Sequence, residues 1–83
     1  MKLGTQLYNI ANTEGVTREC LINDFEMEVV GHKEELVLLV CLDAAKRGET
    51  CICWGRTFII PSILQEEGFF VEEAGSGFNL CWE

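Results

Sequence analysis

The change of hydrophobic pattern at Gly48 most constrains the fold of this 83-residue chain. Before that glycine, apolar residues recur at helical spacing, and the last turn holds Lys46 and Arg47, cations that favour the negative end of a helix dipole. Gly48 itself suits the left-handed position just past a helix. After it, the sequence TCICW is rich in strand-forming residues and ends at Gly55. Helices are therefore predicted before Gly48 and a strand directly after it.

Two helical segments are predicted ahead of Gly48. The sequence TQLYNIAN forms a short first helix, with apolar residues at helical spacing, and Gly15 is predicted to interrupt the chain after it. The second segment has Thr17 as a candidate cap. Its apolar residues fall roughly on one helical face: Leu21, Phe25, Val29, Leu36, Leu39 and Val40.

Residues 24–30 allow two interpretations. Phe25, Met27 and Val29 alternate with acidic residues, as they would in a half-buried strand. The wider spacing of apolar residues is helical, and in that case the helix is kinked or interrupted at Gly31. We prefer the helix and keep the strand as the alternative.

The remainder of the chain predicts one further helix and a hairpin. Pro61 suits the first position of a short helix, PSILQEEG, which ends at Gly68. The strands FFVEEA and FNLCW are joined by a short glycine-rich loop. The order helix, helix, strand, helix, strand, strand predicts a single α+β domain over residues 1–83, with the helices on one face of a small, mainly antiparallel three-stranded sheet.

The charge of the chain narrows the choice of partner. Acidic residues outnumber basic residues by 14 to 6, for a formal net charge of −8. Direct binding of nucleic acid is not expected, because it depends on clustered cations, whereas a protein with a basic surface is favoured. Residues 57–83 contain no Lys or Arg. The carboxylates that accumulate there are the predicted partner-binding residues: Glu66, Glu67, Glu72, Glu73 and Glu83.

The five cysteines do not follow a metal or redox motif. Cys51 and Cys53 lie on the same face of their predicted strand, with neither the spacing of a zinc knuckle nor that of C-x-x-C. We therefore predict no metal or cofactor and interpret the cysteines as small packed side chains. An odd number of cysteines and a polar N-terminus predict reduced thiols, a cytoplasmic location and no export.

Two other features have a structural and a functional interpretation. His32, the single histidine, has no nucleophile at a diagnostic spacing, so we predict a surface or hinge residue and no catalytic residues. The apolar run LVLLVCL, residues 36–42, is too short to span a bilayer, and no membrane attachment is expected. It is either a buried central helix, which we prefer, or a helix that offers Leu36, Leu39 and Val40 for self-association as a homodimer.

Three segments form a larger pattern: LDAAKRGET, IIPSILQEEGFFVEE and GFNLCWE. They combine a helix that ends in a basic pair before glycine, a short helix that ends in glycine, an aromatic-led strand and a final strand that ends in Trp-Glu. This combination, over residues 36–83, resembles small uncharacterised proteins of tailed bacteriophages. The resemblance implies a phage-encoded single domain in the host cytoplasm, with a helix packed on a small sheet, and it assigns no activity to any residue.

These observations lead to three hypotheses of function. The first is a non-enzymatic protein that binds a host protein and inhibits or modulates it; if that host protein binds nucleic acid, the carboxylates imitate phosphates, as in a DNA mimic. The second is a structural or assembly protein that acts by self-association. The third is a small enzyme or metal-binding module that uses Cys51, Cys53 and His32.

Overall fold

The computed structural model describes residues 2–55 and 59–82. Within these residues four helices and three strands follow one another along the chain: α1 Leu3–Asn12, α2 Val16–Val29, α3 Glu35–Lys46, β1 Cys51–Trp54, α4 Pro61–Glu66, β2 Phe69–Ala74 and β3 Gly77–Trp82. The strands form one antiparallel sheet in the order β1-β3-β2, and helices pack against it. The predicted α+β fold class is confirmed.

Most helix ends follow the local signals in the sequence. Lys46 is the last residue of α3, and Gly48 lies just past it with a φ of 79°. Pro61 is the first residue of α4, and Gly68 separates α4 from β2 with a φ of 86°. Because glycine enters this left-handed region without a Cβ penalty, it is suited to ending a helix.

The helical interpretation of residues 24–30 is confirmed. α2 ends at Val29, and the chain turns through Gly31, whose φ is 79°, before α3 begins at Glu35. The backbone N–H of His32 donates to the carbonyl oxygen of Val29 at 3.0 Å, which closes the end of α2. The helix is therefore interrupted at Gly31, and the strand alternative is wrong.

The predicted cap of α2, Thr17, is wrong by two positions, because the residue at the cap position is Gly15. The helix begins at Val16, and no side chain caps it. The backbone N–H groups of Arg18 and Glu19 instead donate to the carbonyl oxygen of Gly15, at 3.1 and 3.4 Å. Thr17 lies inside the first turn because this turn closes on Gly15.

The core lies between the helices and one face of the sheet. α1 contacts β3, α3 contacts β1, and α4 contacts β2. Phe69 and Trp82 pack edge-on in this layer, with ring centroids 6.1 Å apart. The largest fully buried side chains come from every layer: Trp82, Phe25, Leu3, Leu7, Ile10, Leu38, Leu64, Leu80, Val29 and Cys41.

Gly4 brings α1 into close backbone contact with the turn between α4 and β2. Its N–H donates to the carbonyl oxygen of Glu67 at 2.7 Å. A Cβ at position 4 would lie 2.6 Å from the carbonyl oxygen of Gly68. Since backbone atoms cannot move aside as a flexible side chain can, α1 is seated here only because residue 4 has no side chain.

Candidate functional site

The sheet has one covered face and one open face. Successive strand residues point to opposite faces, so the pairing of the strands fixes which side chains share a face. Ile52, Leu80 and Val71 form a row on the covered face. The open face carries two rows across the three strands, and a shallow depression of about 980 Å³ lies over it. These rows are Cys51, Cys81 and Phe70, and next to them Cys53, Asn79 and Glu72.

A disulfide joins Cys51 and Cys81 on the open face. The two residues lie directly opposite each other in the β1–β3 pair, with their Cα atoms 4.1 Å apart. The backbone N–H of Trp82 donates to the carbonyl oxygen of Thr50. Thr50 and Trp82 are therefore a hydrogen-bonded pair, and Cys51 and Cys81 form the adjacent non-hydrogen-bonded pair. Side chains approach most closely in the non-hydrogen-bonded pairs of an antiparallel ladder. The predicted reduced state of these two cysteines is therefore wrong in this structure.

The other three cysteines are free and differ in exposure. Cys53 is exposed, and its Sγ donates to Oδ1 of Asn79 at 3.1 Å. Cys20 is exposed on α2, whereas Cys41 is buried in α3. Burial raises the pKa of the Cys41 thiol from 9.0 to about 12, which keeps it protonated. The packed-side-chain interpretation holds for Cys41 and is wrong for Cys51 and Cys53, because their strand face has no layer over it.

The predicted partner-binding carboxylates in the described residues lie at two places, the end of α4 and the second half of β2. Glu66 ends α4 and is exposed, and Glu67 follows it. Glu72 and Glu73 are both exposed near the far end of β2, but as neighbours on a strand they point to opposite faces. Glu72 alone of these carboxylates lies on the open face. Glu83 is outside the described residues.

His32 belongs to the connection between α2 and α3. Its Nδ1 accepts the backbone N–H of Glu34 at 3.1 Å, and its Nε2 lies 3.7 Å from a carboxylate oxygen of Glu67. With Nδ1 as an acceptor, the ring proton of the neutral side chain is on Nε2 and faces that carboxylate. His32 thus links the α2–α3 turn to the end of α4, which fits the predicted hinge position.

The predicted self-association residues lie on the outer side of α3. Leu36 is 56% exposed, and Leu39 and Val40 are also exposed. Residues at positions i, i+3 and i+4 share one side of a helix, so these three form a row. The helix is therefore not buried on all sides, contrary to the preferred interpretation. Its core side holds a different set: Val37, Leu38, Cys41, Leu42, Ala44 and Ala45.

Across residues 2–55 and 59–82, no group of three or more His, Cys, Asp or Glu side chains is arranged to hold a metal ion. None of the helices in this part of the chain is both long and apolar enough to cross a membrane. No protein-family model, curated protein or solved structure matches the chain.

Proposed function

We propose that the protein is a non-enzymatic, phage-type protein that binds a host protein with a basic surface and inhibits or redirects it. The observation that carries this proposal is that most of the acidic side chains in the described residues are exposed. Among the described residues, the one ion pair between a carboxylate and an arginine or lysine joins Glu49 to Arg47, and Glu67 lies 3.7 Å from Nε2 of His32. Most of the negative charge therefore faces solvent without a neutralising neighbour.

Arg18 is directed to backbone oxygens and not to a carboxylate of the described residues. Arg18 is half-buried, and its Nη2 donates to the carbonyl oxygens of Ala45, at 3.1 Å, and of Lys46. Its Nη2 thus serves the C-terminal end of α3, and its Nε is buried without a hydrogen-bond partner in the described part of the chain. Unpaired surface charges of one sign speed the encounter with a partner of the opposite sign and disfavour partners of the same sign.

A host protein that normally binds nucleic acid has the required basic surface. On such a partner, exposed carboxylates among Glu66, Glu72 and Glu73 would occupy positions that phosphates otherwise take. Because Glu72 and Glu73 point to opposite faces of the sheet, only one of these two can face a given partner surface. Because both ligands would use the same cations, the protein and the nucleic acid would compete for the partner. A partner with a basic surface but no nucleic acid would satisfy the proposal equally well.

Affinity capture from bacterial lysate tests the proposal. We expect a small set of basic proteins to be retained at low salt and released at high salt, because screening weakens interactions between exposed charges. The triple variant Glu66→Gln/Glu72→Gln/Glu73→Gln should retain less. A matched control removes the same charge elsewhere on the surface, at carboxylates that are not paired with a cation in the described residues: Glu14→Gln, Glu35→Gln and Asp43→Asn. Capture of no specific partner at low salt would contradict the proposal.

Self-association is a second candidate, favoured by the exposed row on α3. An apolar row of Leu36, Leu39 and Val40 is the kind of surface that an isologous dimer covers. Light scattering coupled to size exclusion should then give a dimer for the wild-type chain and a monomer for Leu36→Gln/Leu39→Gln. Phe70→Gln is the control, since Phe70 is an equally exposed apolar side chain on the open sheet face. A wild-type monomer at high concentration contradicts this candidate.

A further inference from the structure

α2 has large apolar side chains on its solvent side as well as in the core. Phe25 and Val29 are its buried residues. Val16, Met27 and Val30 are 75%, 78% and 72% exposed, which are the largest exposed fractions among the large apolar side chains of the described residues. Val16 and Met27 lie within α2, and Val30 lies just past its end. Single exposed apolar side chains are common on protein surfaces, so the positions of these residues around the helix and the charges beside them decide what the surface can bind.

Helix geometry places most of these side chains in one line. Val16, Cys20, Asn23 and Met27 are spaced by four, three and four residues, so they follow one side of the helix over about 16 Å. Phe25, which is buried, points to the opposite side. Cys20 and Asn23 are exposed in the middle of the line. We name these four residues the outer face of α2.

Carboxylates border the outer face on both sides. Glu19 and Glu26 are seven residues apart and lie along one border, and Asp24 and Glu28 are four apart and lie along the other. All four are exposed, and Glu28 accepts a hydrogen bond from Gln6 at 2.6 Å.

No cation neutralises these borders from within the helix. Arg18, the one basic residue of α2, is turned toward the carbonyl oxygens at the end of α3. The outer face therefore has an apolar side chain at each end, Val16 and Met27, with Cys20 and Asn23 between them, and it lies between two acidic borders.

We propose that the outer face of α2 docks a cationic amphipathic helix of the partner protein. The apolar side chains of that helix would cover Val16 and Met27, and its Lys or Arg residues would lie over the two acidic borders. This inference rests on the proposed function and names the surface and the partner chemistry for it. An anionic segment would be repelled by the carboxylates, and a uniformly polar segment would not cover Val16 and Met27.

The two other exposed apolar surfaces do not share this charge pattern. On α3, the row of Leu36, Leu39 and Val40 is followed by the acidic Asp43. The basic Lys46 ends the helix. Charges of both signs there offer no preference for a cationic partner.

On the open sheet face, Phe70 is accompanied by the single carboxylate Glu72 and by the neutral side chains of β3 and β1. Charge complementarity to a cationic helix is therefore specific to α2.

Two free thiols allow the docking site to be mapped without a substitution. Cys20 lies within the outer face of α2, and Cys53 lies on the open sheet face; both are exposed. The probe is a synthetic helical peptide with a row of leucines flanked by lysines. With saturating peptide, we expect alkylation of Cys20 by iodoacetamide, followed by mass spectrometry, to slow at least tenfold while that of Cys53 is unchanged. Peptides with glutamate in place of lysine, or serine in place of leucine, should not protect Cys20.

Conservative variants test whether Val16 and Met27 contribute to the affinity for the lysine-flanked peptide. The double variant Val16→Thr/Met27→Gln keeps the approximate size of each side chain. Because both positions are exposed, the fold should tolerate it. We expect binding of the lysine-flanked peptide, followed by fluorescence anisotropy, to weaken about tenfold or more, because the burial of two apolar side chains is lost. Leu39→Gln on α3 is the matched control and should leave the affinity unchanged. Glu19→Gln/Glu26→Gln should weaken binding several-fold at low salt and less at high salt.

The inference is overturned if the lysine-flanked peptide does not bind, if it protects Cys53 as much as Cys20, or if the glutamate-flanked peptide binds equally well. It is also overturned if Leu39→Gln weakens binding and Val16→Thr/Met27→Gln does not. Lysate capture separates this failure from that of the proposed function. If basic proteins are still captured in a salt-dependent way, the partner uses another acidic surface, and if none are captured, the proposed function fails as well.

Discussion

Loss of the Cys51–Cys81 disulfide should remove a large part of the stability of this small domain. The bond links residues separated by 30 positions and closes a loop that contains α4 and most of the hairpin. In the chain-entropy description, a loop of this size restricts the unfolded chain by about 3.6 kcal/mol at 25 °C. Because both cysteines lie on the open face, their replacement leaves no cavity in the core.

Urea unfolding of Cys51→Ser/Cys81→Ser measures this contribution. We expect the free energy of unfolding to fall by about 3.6 kcal/mol relative to the oxidised wild type. An m-value of about 1 kcal/mol/M converts this loss into a midpoint shift of roughly 3.6 M urea. Cys53→Ser is the control, since it makes the same chemical change on the same face without breaking a bond. The wild type in the presence of a dithiol reductant should unfold as the double variant does.

Thiol counting decides whether the premise is correct. The denatured, oxidised protein should react as three free thiols, Cys20, Cys41 and Cys53, and the reduced protein should react as five. Five reactive thiols without reductant would refute the pairing. Equal urea midpoints for the oxidised wild type and the double variant would refute the stability argument even if the bond forms.

Two further predictions concern the core. Gly4→Ala should destabilise the domain by about 1–3 kcal/mol, because the new Cβ would lie 2.6 Å from the carbonyl oxygen of Gly68. Thermal unfolding measures this loss, with Thr5→Ala, a change in the same helical turn, as the control. Burial raises the pKa of Cys41 from 9.0 to about 12, so the unfolded chain loses this proton first and stability should fall as pH rises from 9 toward 12. The loss should be about 1.4 kcal/mol per pH unit and absent in Cys41→Ala; parallel pH profiles of the two proteins in urea would contradict it.

Local signals in the sequence are sufficient to predict the order of elements. Gly48, Pro61 and Gly68 act through the conformations that glycine and proline allow within one turn of the chain, and the structure places each where it was predicted. The two strands after Gly68 are neighbours in sequence and need only a two-residue loop, in which Gly75 has a φ of 60°. Such features depend on few distant contacts.

The buried side of α3 could not be predicted in the same way. Leu36, Leu39 and Val40 continue the face of Phe25 and Val29 only if one helix runs through both sets. The turn that passes Gly31 resets the helical phase, so that Val37, Leu38 and Cys41 face the core instead. The direction of a helix after a turn depends on tertiary packing, which periodicity within one segment does not contain.

The cysteine pairing also depends on contacts that are distant in sequence. β3 pairs with β2 through the hairpin, but its pairing with β1 brings together residues about 30 positions apart. A predicted pairing of the first and last strands would have placed Cys51 near Cys81. Without that strand pairing, the odd number of cysteines and the polar N-terminus favour reduced thiols.

The most direct test of the account is salt-dependent capture of a basic partner by the intact protein. Lysate proteins retained by the wild type, by Glu19→Gln/Glu26→Gln and by Glu66→Gln/Glu72→Gln/Glu73→Gln should be quantified by mass spectrometry at low and at high salt. The account predicts a small set of basic proteins held by the wild type at low salt, reduced in both variants and lost at high salt. The same proteins retained equally by all three chains at both salt concentrations would contradict it.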